Sequence, residues 1–171
     1  MTDPARDLDE HVALYRREFP EVDPQVERIV AAISRLKRRM NTAYDRQLQT
    51  LGLTNAEWEV LKELVLAGNP YRLSPGELAR RLGLTPAAMT HRIDRMVADG
   101  LVTRSRDDHN RVRVNVELTP SGRDKWLETM RMAAVFEERL LSDLDQGERA
   151  AFAEVLTRML SRVETEDAAR S

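Results

Sequence analysis

The chain has no cysteine among its 171 residues. This absence excludes disulfide bonds, thiolate metal sites and cysteine-based redox sensing. No run of 18 apolar residues and no signal peptide is present. We therefore expect a soluble, cytoplasmic protein with no membrane partner.

The sequence also lacks the signatures of common enzymes and cofactor sites. It has no phosphate-binding loop, no glycine-rich dinucleotide fingerprint and no convergent acid–base pair. The three histidines, His11, His91 and His109, share no ligand spacing such as i, i+4, so no zinc site is expected within one subunit. A metal site shared between two subunits stays open. We predict a protein that is not an enzyme and that uses no cofactor.

The net charge is small, but the charged residues are unevenly distributed. The formal net charge is -2. Between Leu78 and Arg113, however, eight arginines stand against four aspartates, a surplus of +4 that leaves -6 for the rest of the chain. A basic patch on an acidic body suits a protein that presents one face to a polyanion.

The stretch that begins at Ser74 carries two consecutive helix starts. Ser74 is a candidate N-cap, with Pro75 at the first helical position and Glu77 placed to bond back to the cap. After Gly83, Thr85 is a second candidate N-cap. The helix that follows has four apolar residues at i, i+4, i+7 and i+8, which predicts one buried face: Met89, Ile93, Met96 and Val97. Two short helices joined by a glycine-containing turn are typical of a helix-turn-helix.

After Gly100 the apolar period changes from helical to alternating. Four residues are predicted to point to one face: Val112, Val114, Val116 and Leu118. Four others are predicted to point away from it: Arg111, Arg113, Asn115 and Glu117. Residues 101–104 can supply the partner strand, with a polar turn at 105–110. A β-hairpin after a helix-turn-helix is a winged helix.

Helical patterns flank this segment on both sides. The predicted helices comprise a short one at residues 8–19, a long one at 24–51, one from the cap Thr54, and two after Pro120 with a cap at Asp145. The apolar stripe of the long helix fits either a core face or an intersubunit seam. Because terminal helices this long are hard to bury on a small domain, dimerisation is the economical explanation.

These patterns predict a mainly α fold with a small β-hairpin wing, a winged helix-turn-helix that forms a homodimer. The expected divisions are N-terminal dimerisation helices at 1–53, a DNA-binding winged helix at 54–119, and C-terminal dimerisation helices at 120–171.

The chain resembles the MarR family of bacterial transcription regulators. Four motifs carry the resemblance: LGLT-x-x-E-W at 51–58, LSPGELARRLGLT, MTHRIDRMVADGLVTR, and the wing DDHNRVRVNVELTPSGR. The match covers roughly residues 9–163. It implies a homodimer clasped by its terminal helices, with recognition helices in major grooves and wings along minor grooves. Many members lose DNA affinity when a small, often phenolic or anionic molecule binds between the dimer helices and the winged helix.

The N-terminal helix and the phrase RREFPEVDP are similar to the urate-responsive branch of that family. That branch carries tryptophan where Tyr15 stands, aspartate where Glu59 stands and arginine where Leu66 stands. Only the arginine that matches Arg92 is kept. The resemblance therefore implies the architecture of the branch but not urate as its ligand, and it makes Tyr15, Glu59 and Arg92 the ligand-binding candidates.

Base contacts are expected from the first turns of the recognition helix, where Ala87, Ala88, Thr90 and His91 lie. Alanine methyls can contact thymine methyls, whereas threonine and histidine can form hydrogen bonds. Arginines beside the hairpin tip suit a narrow, electronegative minor groove. The full predicted DNA-binding set is Ser74, Thr85, Ala87, Ala88, Thr90, His91, Arg95, Arg106, Arg111 and Arg113.

The predicted function is a sequence-specific, double-stranded-DNA-binding regulator, a repressor released from a palindromic operator by a small aromatic or anionic ligand. Activation instead of repression stays open. The alternative is a winged helix used only for docking to proteins. A docking module would lack the arginine-rich wing and would expose apolar surface on the helix that begins at Pro86, and this chain does the reverse.

Overall fold

The computed structural model describes residues 4–106 and 114–170. It divides into two compact units, Met1–Trp126 and Leu127–Ser171. The elements, in chain order, are α1 (Pro4–Glu18), α2 (Pro24–Thr50), α3 (Asn55–Leu66), β1 (Arg72–Leu73), α4 (Pro75–Arg81), α5 (Pro86–Ala98), β2 (Val102–Arg106), β3 (Val114–Leu118), α6 (Pro120–Leu140) and α7 (Gln146–Ala168). This confirms the predicted mainly α fold with a small β wing.

Side-chain caps begin the helices where the sequence predicts them. Thr54 and Ser74 each form a complete capping box, with Glu57 and Glu77 respectively, and Asp145 forms a third at the start of α7. These caps satisfy backbone N–H groups that have no partner inside the helix. One helix boundary differs from the prediction, since α1 already begins at Pro4. The first hairpin strand differs as well: β2 extends to Arg106, whereas residues 105–110 were predicted to form the turn.

The sheet has three strands, one more than predicted. β2 and β3 pair antiparallel, from Val102 opposite Leu118 to Arg106 opposite Val114. The unpredicted strand β1 pairs with the other edge of β3, which is therefore central. A two-residue strand carries no alternation, so its sequence has no periodic signal.

The predicted alternation along β3 holds only in part. Val116 and Leu118 are buried, but Val114 is 40% exposed, and Asn115 is buried although it was predicted to point outwards. β1 pairs with β3 at Val116 and Glu117, so among the described residues no strand covers that side of Val114. The position of Val112 lies outside the described residues.

The core of the first unit lies between α3, α4, α5 and the sheet. Nine of its side chains are fully buried: Leu61, Leu64, Leu78, Met89, Ile93, Met96, Val60, Val102 and Val116. Each such burial is worth about 1.5–3 kcal/mol relative to exposure. Val97, predicted to be buried, is 38% exposed. At 3.6 residues per turn it lies about 80° around α5 from Met89, at the edge of the apolar stripe.

Hydrogen bonds connect the start of α6 to the residues just before β2. Thr119 donates a hydrogen bond from its hydroxyl to the Gly100 carbonyl (2.7 Å) and accepts one from the Gly122 amide (2.9 Å). A Cβ on Gly122 would overlap the carbonyl oxygen of Leu101. Only glycine allows this close approach between the first turn of α6 and the strand.

The long helices leave large apolar side chains uncovered in the single chain. The exposed residues of α2 include Val26, Ile29, Ile33 and Leu36, and those of α7 include Phe152, Val155, Met159, Leu160 and Val163. In α7, no residue is buried. Within residues 4–106 and 114–170, no helix is both long and apolar enough to cross a membrane.

Candidate nucleic-acid interface

Helix α5 turns one face to the core and the opposite face to solvent. Because Met89, Ile93 and Met96 are fully buried, the orientation of the helix is set. Four predicted readers on the other side are all exposed: Ala87, Ala88, Thr90 and His91. The first turns of α5 therefore present small apolar groups and hydrogen-bonding groups together, as a helix that reads base edges requires.

Two of the predicted DNA-contacting hydroxyls begin helices. The Thr85 hydroxyl accepts a hydrogen bond from the Ala88 amide (3.2 Å) at the start of α5. The Ser74 hydroxyl accepts from the Glu77 amide (3.2 Å) and donates to the Glu77 carboxylate (2.6 Å) at the start of α4. A third hydroxyl, that of Thr90, donates to the Pro86 carbonyl within α5 (2.9 Å).

The Glu77 carboxylate is held in its ionised form by this cap. The Ser74 hydroxyl, followed by the Ser74 amide, lowers the pKa of Glu77 from its ordinary value. Partial burial opposes the shift, and the charges of Arg80 and Arg81 add to it. Hydrogen bonds given to a carboxylate favour its charged form, so the cap is strongest when Glu77 is ionised.

Arg95, predicted to contact DNA, forms an ion pair within the protein, and its DNA contact stays a prediction. Its guanidinium lies 2.9 Å from the buried carboxylate of Glu57 on α3. The neighbouring Asp94 pairs with Arg104 of β2 at 2.6 Å. Sequence reasoning did not predict these two ion pairs, because each joins residues of different elements. The Thr54–Glu57 spacing predicted only the helix cap.

The wing is described up to the end of β2 and again from β3. Arg104 and Arg106 are both on β2, on the strand that follows the recognition helix. The predicted residues Arg111 and Arg113, and the side chain of Arg106, lie outside the described residues. Their DNA contacts stay a prediction.

A cleft of about 310 Å³ lies between α1 and α2 and contains one of the three ligand candidates. Tyr15 stacks there on His11 with ring centroids 4.5 Å apart, and the His11 ring is hydrogen-bonded to Glu27 (2.8 Å). The cleft is also lined by Arg35 and Arg38, among others.

The other two ligand candidates do not line this cleft. Glu59 forms an ion pair with Lys62 on α3 at 2.6 Å. Arg92 is half-buried on α5. The expected grouping of Tyr15, Glu59 and Arg92 therefore stays a prediction. In the part of the chain that the structure describes, no group of three or more histidine or acidic side chains is arranged to hold a metal ion.

The chain is similar to known transcription regulators. The family model described as "MarR family" matches residues 51–111, which run from the end of α2 into the wing. The chain is 28% identical over 111 residues to the HTH-type transcriptional regulator PecS of Dickeya dadantii, covering 65% of this chain and 67% of that protein. It is 25% identical over 113 residues to the transcriptional repressor YetL of Bacillus subtilis, with 66% and 67% covered.

Over residues 51–111 the chain is thus similar to the MarR family, as the sequence motifs predict. The fold agrees: a MepR variant from Staphylococcus aureus, solved bound to an oligodeoxyribonucleotide, superposes with a TM-score of 0.65 at 23% identity, covering 79% of this chain and 97% of that one. The relatives PecS and YetL are named as transcription regulators and not as enzymes, which agrees with the predicted DNA-binding regulator. Helix α5 corresponds to the predicted recognition helix.

Proposed function

We propose that this protein is a cytoplasmic, homodimeric repressor of the MarR family that binds a pseudo-palindromic operator. The observation that carries the proposal is the solvent face of α5. It combines Ala87, Ala88, Thr90 and His91 over a fully buried apolar face, beside an arginine-bearing wing strand. Its relative YetL is named a repressor, which supports repression over activation.

Dimerisation is supported by the uncovered apolar surface of the long helices. Ile29 and Ile33 on α2 are 46% and 39% exposed, and Leu160 and Val163 on α7 are 62% and 59% exposed. Apolar side chains spaced along a helix stabilise an oligomer when a second copy covers them. Two recognition helices related by a two-fold axis would then read half-sites about 10 base pairs apart, centre to centre.

Different residues would contact the base edges and the phosphates. The first turns of α5 would contact base edges in the major groove, with His91 as the residue that selects a base. Arg106, Arg111 and Arg113 on the wing would contact the minor groove and the phosphates. Ser74 and Thr85 would lie close to the DNA backbone. Their primary role is to cap the N-termini of α4 and α5.

A small, planar, aromatic anion is proposed as the effector. Tyr15 offers an aromatic face in the α1–α2 cleft, and Arg92 offers positive charge on the recognition helix. A ligand that engages Arg92 would shift α5 and displace His91 from its base. Urate is expected to release DNA poorly, because Leu66 cannot pair with a polar ligand group, and an unpaired group costs about 1–3 kcal/mol.

The proposal is tested by gel shift and footprinting on the DNA upstream of the protein's own gene. We expect a two-fold symmetric footprint bound by one dimer. A single asymmetric half-site at one dimer per duplex would contradict the symmetric operator. Absence of sequence-specific binding to any genomic fragment would favour the protein-docking alternative.

The effector is tested by titrating the operator complex with salicylate-like acids and with urate. We expect release by the aromatic acids at concentrations where urate has little effect. Efficient release by urate would contradict the ligand assignment, and no release by any aromatic acid would indicate a regulator controlled only by its own concentration.

A further inference from the structure

We infer that Glu57 is a positioning residue for the recognition helix, and that Arg95 is its partner in this role and not a DNA contact. The inference rests on the proposed reading of operator DNA by α5. It assigns a function to a buried acidic side chain that lies on α3, outside the helix-turn-helix.

Glu57 is buried, with 3% of its surface exposed, and both of its carboxylate oxygens are engaged. Oε2 accepts hydrogen bonds from the Thr54 amide and from the Thr54 hydroxyl, each at 2.8 Å. Oε1 accepts a hydrogen bond from the Arg95 guanidinium at 2.9 Å. A buried carboxylate requires such partners, because burial without them strongly disfavours its charge.

This arrangement joins two parts of the molecule through one side chain. Thr54 is the N-cap of α3, directly after the corner at which α2 ends. Arg95 is on the last turns of α5, 38 residues after Glu57. The position of the recognition helix is therefore tied to the N-terminus of α3 by charge as well as by apolar packing.

A second ion pair connects α5 to the wing strand. Asp94, next to Arg95, pairs with Arg104 of the wing strand β2 at 2.6 Å. Both partners of that pair are substantially exposed, at 55% and 37%. An exposed pair contributes little, so the buried carboxylate of Glu57 is the stronger of the two restraints.

The ion pair also removes Arg95 from the set of free cations. Its side chain is 58% exposed, so a phosphate contact is sterically open to it. A phosphate would, however, have to compete with a buried carboxylate that has no other cation among the contacts described for it. We expect Arg95 to remain with Glu57 when DNA binds, which leaves readout to the first turns of α5.

A double-mutant cycle in the full-length protein tests this inference. The variants are Glu57→Gln, Arg95→Gln and the double variant, and the matched control is Glu63→Gln. Glu63 is also on α3 and forms an ion pair, but its partner is Arg81 on α4 at 3.2 Å, not a residue of α5. Affinity is measured for the footprinted operator and for a scrambled duplex of equal length, over a range of salt concentrations, with thermal unfolding as the check on folding.

A positioning role predicts weaker discrimination between the operator and the scrambled duplex, with an unchanged salt dependence of binding. Each single variant should lower the ratio of operator affinity to scrambled-duplex affinity by about tenfold, and the double variant should lose no more than the worse single one. The slope of log affinity against log salt should stay at the wild-type value in Arg95→Gln. Glu63→Gln should leave both quantities unchanged.

A phosphate-anchor role for Arg95 predicts the opposite pattern and would overturn the inference. Arg95→Gln would then weaken binding to both duplexes equally and lower the magnitude of the salt slope by about 0.9, whether or not Glu57 is also replaced by glutamine. An unchanged ratio in Glu57→Gln would overturn it as well. Failure of the wild type to discriminate its operator would instead contradict the proposed function.

Arg95→Lys keeps the test decisive if Arg95→Gln does not fold. Lysine retains the positive charge but lacks the planar guanidinium that reaches the buried carboxylate. A positioning role predicts a lower affinity ratio at an unchanged salt slope. An anchor role predicts that Arg95→Lys keeps wild-type affinity for both duplexes.

Discussion

The Ser74 cap allows a prediction whose size and pH dependence both follow from the structure. Ser74→Ala removes the oxygen that accepts from the Glu77 amide and donates to its carboxylate. Helix α4 has only seven residues and depends strongly on its cap, since short helices are not stable alone. We expect a loss of about 1–2 kcal/mol in the free energy of unfolding, and a drop of several degrees in Tm.

The penalty of Ser74→Ala should shrink in acid. The Ser74 hydrogen bonds lower the pKa of Glu77 below its ordinary value of 4.5. A group with a lowered folded pKa contributes stability that is fully present above the unfolded pKa and is lost as pH falls through the folded pKa. The wild type therefore has this advantage near neutral pH and loses it once Glu77 is protonated.

Thr85→Ala is the matched control. Thr85 caps α5 through the Ala88 amide, but the residue three positions on is alanine, so no carboxylate returns to the cap. Its penalty should be the same near pH 7 and near pH 3. Urea unfolding followed by circular dichroism measures both variants. A Ser74→Ala penalty that stays constant or grows on acidification would refute the coupling between cap and carboxylate.

Three further predictions follow from the wing, the start of α6 and the terminal helices. Arg111→Ala should weaken binding to all sequences and lower the magnitude of the salt slope by about one. His91→Ala should instead change base preference by about 1–3 kcal/mol. An identical, sequence-independent loss of affinity in both variants would contradict these separate roles. Gly122→Ala should cost about 1–3 kcal/mol in thermal or urea unfolding because its Cβ overlaps backbone, whereas Gly76→Ala, which meets open space, should cost far less. A chain cut before Thr119 should be monomeric and bind DNA poorly, and a stable dimer of residues 24–118, seen by light scattering, would contradict this.

The sequence by itself determined the helices, the two strands of the hairpin and the exposed face of α5. The capping boxes at Thr54, Ser74 and Asp145 form as their spacing predicts, because cap and carboxylate lie three residues apart. The spacing of Met89 and Ile93 likewise determines which side of α5 is buried. These signals depend on residues close together in the sequence, so they can be read from the sequence alone.

Only the tertiary structure decided how those elements are held together. β1 exists because Arg72 and Leu73 meet a strand more than 40 residues away, and the Glu57–Arg95 pair joins residues 38 positions apart. Gly122 is required only because α6 starts against the Leu101 carbonyl. Each of these contacts forms because tertiary packing brings groups that are distant in sequence within bonding distance. The periodicity of residues within one element does not reveal which groups will meet.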